Sequence, residues 1–175
     1  MTWSSARLVS DRDGTAAVEM ALSLPILLVL ILGCFDASNY FLAEHVVQKG
    51  VRDAARYAAR LPLTSYPSCT VPSGGTAEQQ VQRVARSGDP SGAAGQRLAG
   101  WTNDNMTTVT INCAVAGSFN NGGLYKDFPT IGGVPGAAPV VTVSATVPYM
   151  PLFGYLFRGL SLNASAESQA AVIGA

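Results

Sequence analysis

The sequence carries little charge and few residues that do chemistry. Lysine, arginine, aspartate and glutamate make up 13% of the chain, against roughly 25% in an average soluble domain. The 11 basic and 11 acidic residues cancel, so the net charge gives no reason to expect nucleic acid or another polyanion as a partner. His45 is the one histidine, and without a spaced partner it favours a solvent-facing residue over a catalytic base.

Signatures of catalysis and of metal binding are also missing from the sequence. It contains no phosphate-binding glycine loop, no nucleophile elbow and no paired-carboxylate signature. Neither Cys69 nor Cys113 has a second metal ligand at useful spacing. These absences predict a non-enzymatic protein without cofactor or metal.

What the sequence does have is one long apolar run near its N-terminus. The run covers residues 15–35, and Glu19 is its only charged residue. As a helix, these roughly 21 residues would measure about 31 Å, close to the hydrocarbon thickness of a bilayer. Arg7 and Arg12 precede the run, which favours a cytoplasmic N-terminus. We therefore predict a transmembrane segment over residues 15–35.

Three interpretations of this run compete. A cleaved secretory signal has an apolar region of only about 7–15 residues, and it would not carry the acid at Glu19. A lipoprotein signal would end at Cys34, because residues 31–34 form a degenerate lipobox. We favour the third interpretation, a retained membrane anchor. In that case Cys34 is a small apolar side chain that faces lipid or a partner helix.

The helical pattern continues beyond the apolar run and ends before Pro62. Residues 15–60 therefore predict a single helix of about 46 residues, with a membrane half (15–35) and an amphipathic half (36–61). Asp53 is spaced to pair with Lys49 and Arg56. The apolar stripe of the amphipathic half consists of Tyr40, Val47, Val51, Ala54, Ala58 and Leu61. The opposite, solvated face carries Lys49, Arg52, Arg56 and Arg60.

Residues 62–175 predict a small extracytoplasmic head. Thr76 and Gln79 have the spacing of a capping box at the start of a helix, and residues 96–101 suggest a second helix. Alternating residues predict strands near 108–115, 141–147 and 160–166. The predicted fold class is α+β, with a helix behind an antiparallel sheet of three or four strands.

Two features of the head bear on its position and stability. Residues 148–157 are unusually apolar for a loop, and they either cover the sheet core or dip toward the membrane or a neighbouring subunit. Cys69 and Cys113 both lie in the extracytoplasmic part, where disulfides persist. A bridge between them would close a loop of about 45 residues, worth roughly 4 kcal/mol by loop-closure entropy.

Two segments of the long helix carry a resemblance to a known family. One is residues 14–25, with a glycine, a glutamate five residues later and a Leu-Pro pair; the other is residues 51–58, Val-Arg-Asp-Ala-Ala-Arg-Tyr-Ala. In these features the chain resembles the TadE-like domain. That domain occurs in minor pseudopilins of the bacterial tight-adherence (Tad or Flp) pilus, a branch of the type IV pilin superfamily.

The resemblance implies a function and a set of site residues. Gly14 would end a leader peptide of residues 1–14, and a prepilin peptidase would cut before Thr15. Glu19 would then pair with the freed amine and set the register between subunits. The expected partners are the inner membrane, other pilin and pseudopilin subunits, the prepilin peptidase and the Tad assembly platform.

The same resemblance implies a location and leaves one alternative function open. The expected location is the bacterial inner membrane, with a cytoplasmic N-terminus and a periplasmic head. A second expected location is the adhesion pilus at the cell surface. The alternative is a single-pass anchored protein or lipoprotein that presents a binding head outside the cytoplasm.

Overall fold

A single long helix begins the described part of the chain. In the computed structural model, which describes residues 12–114, 138–153 and 162–173, helix α1 runs over Arg12–Arg60. Pro25 lies inside it without ending it. The predicted long helix is therefore confirmed, including its end before Pro62. Its first described turn begins at Arg12, three residues earlier than predicted.

The second half of α1 packs on the head with the predicted stripe. Val47, Val51, Ala54 and Ala58 are fully buried, because steps of three and four residues keep them on one side of the helix. The basic residues of the opposite face are exposed: Lys49, Arg52, Arg56 and Arg60. The amphipathic half thus supplies one wall of the hydrophobic core.

An antiparallel sheet supplies the other wall. Strands β1 (Thr107–Ala114), β2 (Ala138–Pro148) and β3 (Asn163–Ala171) lie in the order β1-β2-β3. Val143 of β2 is opposite Val109 on one side and Ser168 on the other. Every second side chain of β2 is buried from residue 139 to residue 147, as expected when one face of a sheet covers a core. The predicted α+β class, with the helix behind an antiparallel sheet, is confirmed.

The third strand lies further along the chain than predicted. Residue 160 is outside the described residues, and Leu162 is exposed just before β3 begins at Asn163. Asn163 is opposite Pro148, so the pairing with the long β2 sets where β3 begins. The strand presents small residues to the helix, with Ala164 fully buried.

The short helix α2 (Thr76–Ser87) corrects the predicted capping box. Thr76 is already inside the helix, Gly75 is the N-cap, and no side chain caps it. The carboxylate of Glu78 instead accepts a hydrogen bond of 2.6 Å from the backbone N–H of Gly74. The helix ends at Gly88, which has φ of 85°, in the left-handed region that glycine adopts readily.

The second helix predicted over residues 96–101 is wrong, because this segment forms turns. The segment instead packs against the rest of the head. Trp101 is fully buried in the core, and a Cβ on Gly100 would collide with the backbone carbonyl of Pro148. The predicted partners of Asp53 are also wrong. Its carboxylate lies 2.9 Å from the guanidinium of Arg97, in the same segment of turns.

Candidate functional site at the base of the head

The membrane half of α1 is apolar, and the described part of the head does not bury it. This helix is the one described element that is long and apolar enough to cross a membrane, and the most apolar part of it is not buried against the rest of the protein. Leu22, Ile26 and Leu30 are each at least 60% exposed. Each such side chain gains about 1.5–3 kcal/mol on leaving water. The geometry suggests a membrane anchor and is unlike that of a core helix.

The predicted cleavage and registry residues lie at the start of this segment. Gly14 is helical, and a Cβ built on it would meet nothing within 4 Å. Glu19 is exposed and forms no hydrogen bond or ion pair with another described residue. Thr15 and Glu19 are four residues apart on one continuous helix, so they share a face, with Cβ atoms about 5–6 Å apart.

A second polar group lies where the membrane half ends. Asp36 is buried, although it follows directly on the apolar run. Its Oδ1 accepts hydrogen bonds from the hydroxyl of Tyr149, at 3.0 Å, and from the backbone N–H of Leu152, at 2.9 Å. The side-chain amide of Asn39 donates to the Tyr149 oxygen at 3.2 Å. We call Asp36, Asn39, Tyr149 and Leu152 the junction.

The junction ties the segment after β2 to the helix. Burial raises the pKa of Tyr149, and the hydrogen bond to Asp36 raises it further, against the lowering effect of Asn39. The phenol therefore stays a donor at neutral pH. The ring of Tyr149 also packs edge-on against Tyr40, with centroids 5.3 Å apart. The Tyr40 hydroxyl in turn donates to the carbonyl oxygen of Asn163 at 3.1 Å, which brings the start of β3 to the same level.

The predicted cysteine pair lies in the head and not at the junction. Cys69, in a 3₁₀ turn after α1, is joined to Cys113 of β1 as a disulfide, with Cα atoms 6.0 Å apart. That separation is within the usual range for a disulfide. Cys34, the remaining cysteine, is exposed on α1.

The site residues predicted from the sequence therefore do not converge. Glu19 and Asp36 are 17 residues apart on α1, or roughly 25 Å along the helix axis. Sequence reasoning missed Asp36 as a structural centre. Two sequence features could have indicated this role. An acid that directly follows a long apolar run needs a hydrogen-bond donor if it is buried, and the apolar segment 148–157 contains tyrosines that could donate.

The polar residues at these positions are suited to hydrogen bonding and ion pairing between parts of the protein. The described residues contain no group of three or more histidine, cysteine, aspartate or glutamate side chains that could hold a metal ion. His45 is exposed on α1. The polar groups of the junction are already paired with one another, which suits a fixed joint between helix and head.

These features define a class of protein: a single apolar N-terminal helix that suggests a membrane anchor, continued into a small α+β head. Residues 14–56 match the family model described as TadE-like protein. The matched segment is about a quarter of the chain, and it confirms the resemblance drawn from the two sequence segments. No curated protein and no solved structure matches this chain. The family suggests a protein associated with the tight-adherence pilus, and such proteins are generally structural.

Proposed function

We propose that this protein is a non-enzymatic minor pilin or pseudopilin that takes part in assembling a tight-adherence pilus. The observation that carries the proposal is the coincidence of the TadE-like match at residues 14–56 with an exposed, unbroken apolar helix. A lone anchor needs no more than about 20 apolar residues. Here the match continues past the apolar run into the part of α1 that forms the core of the head.

In this proposal the N-terminus is processed before assembly. A prepilin peptidase removes residues 1–14 on the cytoplasmic face, and Thr15 becomes the first residue. None of the described residues packs against Gly14, which supports the access that a peptidase needs. Arg7 and Arg12 keep this end in the cytoplasm, and the head lies in the periplasm, where the Cys69–Cys113 bridge would form.

Processing gives Glu19 a partner. The new amine at Thr15 is a cation, and Glu19 of the same or a neighbouring subunit is its counter-charge in the apolar environment. Burying both charges together costs less than burying one, and removing one partner of a buried pair typically costs about 3–5 kcal/mol. The pair would set the axial register of neighbouring helices, with other pilin subunits and the Tad assembly platform as partners.

The mature N-terminus tests the processing step. We expect mass spectrometry of the protein purified from cell membranes to find Thr15 as the first residue. A lipid-modified Cys34 at the N-terminus would support the lipoprotein instead. An intact Met1 would indicate a plain single-pass anchor that presents a binding head.

Glu19→Ala tests the registry role. We expect membrane insertion to be retained, because an unpaired charge is removed from the apolar run, and pili to be lost from the cell surface. Glu167→Ala is the matched control, since Glu167 is an exposed glutamate on β3, in the head. Normal piliation and adherence in cells carrying Glu19→Ala would rule out the pairing.

A further inference from the structure

The exposed apolar surface of this protein extends past the predicted span and onto the head. Phe41 and Leu42 of α1 lie beyond residue 35, and three residues of the head continue the surface. All five are between 41% and 64% exposed. We call them the collar: Phe41, Leu42, Met150, Leu152 and Leu162.

Hydrogen bonds fix the level of the collar relative to the helix. The backbone N–H of Leu152 donates to Asp36, the first residue after the predicted span. The backbone N–H of Tyr149 donates to the carbonyl oxygen of Leu162 at 2.9 Å. The segment after β2 and the segment before β3 therefore reach back to the level where α1 leaves the hydrocarbon.

The apolar part of α1 could lie wholly in the hydrocarbon core or extend into the headgroup layer, and its length decides between these placements. Residues 15–42 would measure about 42 Å, while the hydrocarbon core is about 30 Å thick and the bilayer with its headgroups about 40–45 Å. Hiding all 28 residues in hydrocarbon would need a tilt of roughly 45°, beyond the usual range of 0–40° about a mean near 20°. The 42 Å instead match the full bilayer with both headgroup layers, so the first few residues of the run lie in the inner layer, and Phe41 and Leu42 lie in the outer one.

The polar groups at this level fit the same layer. Tyrosine side chains are enriched where membrane and water meet, and Tyr40 and Tyr149 lie here against each other. Asp36 would resist approach to lipid if it were unpaired, but it is buried and accepts two hydrogen bonds at Oδ1. Between Asp36 and Lys49 the helix carries no lysine or arginine, so apolar burial and not charge would hold the collar.

We infer that the collar lies in the interfacial layer of the membrane, so that the head rests on the lipid surface in the unassembled protein. The occupant of this apolar surface is therefore the boundary between lipid headgroups and acyl chains. The inference rests on the membrane anchor of the proposed function and adds the position of the head relative to the bilayer. Residues 154–157 lie outside the described residues. For the described part of the segment 148–157, the inference gives each alternative a share: Tyr149 covers the junction, while Met150 and Leu152 face the membrane.

Spin labels on single cysteines in the full chain test this position. The background is Cys34→Ser, which leaves the Cys69–Cys113 pair and one introduced thiol. Labels are placed with Leu28→Cys in the span, Leu152→Cys in the collar and Arg56→Cys on the exposed face of α1. Arg56 lies 20 residues beyond Asp36 on α1, or roughly 30 Å along the axis.

In phosphatidylcholine vesicles, we expect oxygen to reach the labels at 28 and 152 better than a water-soluble nickel chelate does. The label at 56 should show the reverse preference. Adding phosphatidylglycerol or salt should leave the result at 152 unchanged, because the collar has no charge of its own.

Each other outcome has a distinct meaning. A label at 152 that is as open to nickel as the label at 56, with 28 still protected, overturns the inference alone. A label at 28 that is open to nickel overturns the membrane anchor itself. Spin–spin broadening at 152 that disappears on dilution with unlabelled protein would identify a second copy as the occupant, and it would also overturn the inference.

Discussion

The two halves of helix α1 share one unbroken backbone but bury their apolar residues against different partners. In the second half, valines and alanines at steps of three and four residues are covered by the sheet and by α2. In the first half, leucines and isoleucines cover the whole circumference and remain exposed. A helix that is apolar on one side finds its partner within the chain, whereas one that is apolar all round needs a partner outside it.

The comparison also explains why the two halves differ in composition. The second half packs closely against other backbone, so it uses alanine and glycine where the first half uses leucine. Gly50 is the clearest case, because a Cβ there would lie 2.5 Å from the carbonyl oxygen of Ala85 and 3.1 Å from the Trp101 ring. Lipid imposes no such fixed shape, so large side chains are accepted along the whole first half.

The largest expected difference between the halves comes from removing one large apolar side chain that packs against the second half, Trp101, and one that belongs to the first half, Leu28. Trp101→Ala should destabilise the head by about 3–5 kcal/mol, because a fully buried ring leaves a cavity. Leu28→Ala, in the first half, should change the unfolding free energy of the head by less than about 0.5 kcal/mol. Urea unfolding of the full chain in detergent, followed by near-ultraviolet circular dichroism, measures both. Equal losses would mean that the first half also packs on the head.

The disulfide is the next largest expected effect. Cys69→Ser should lower the stability of the head by about 4 kcal/mol through the entropy of a loop of 44 residues. Cys34→Ser is the matched control and should leave the stability unchanged, since Cys34 is exposed on α1. If mild reduction of the wild-type protein does not shift its unfolding midpoint, the bridge is not formed in the isolated protein.

The smallest expected effect is that of Gly50→Ala, which should have the opposite sign to the same substitution in an exposed helix. In an exposed helix, replacing a glycine by alanine stabilises by roughly 0.5–1 kcal/mol. Gly50→Ala should instead destabilise by about 1–3 kcal/mol, because α1 and α2 would have to separate around the new methyl group. Gly95→Ala is the control for the steric contact alone, since Gly95 lies outside the helices and a Cβ there meets nothing within 4 Å. The same unfolding measurement applies, and a stabilised Gly50→Ala variant would contradict the tight contact.

Local pattern was enough for much of the fold. The continuous periodicity up to Pro62 predicted α1, and the alternation over 141–147 predicted the buried face of β2. The capping box failed for a local reason, because Gly75 is the N-cap and Glu78 accepts a hydrogen bond from Gly74. The other predictions that failed depended on distant residues. The helix over 96–101 failed because Trp101 and Gly100 are held by the core and by Pro148.

In the candidate site, too, one residue could be identified from local sequence and another could not. Glu19 could be named from the sequence because a charge inside an apolar run is conspicuous by itself. The role of Asp36 could not be named, because its partner Tyr149 is 113 residues away in the chain. No local spacing relates two such positions.

The sequence by itself determined that this protein has an apolar helix of membrane length, an acid near its start and a small α+β head. Those properties follow from composition and from the periods of helix and strand, which neighbouring residues set among themselves. Only the tertiary structure decided where the head sits on the helix, through Asp36, Tyr149 and the paired strands. Such contacts depend on how the whole chain closes on itself, and a one-dimensional pattern does not carry that information.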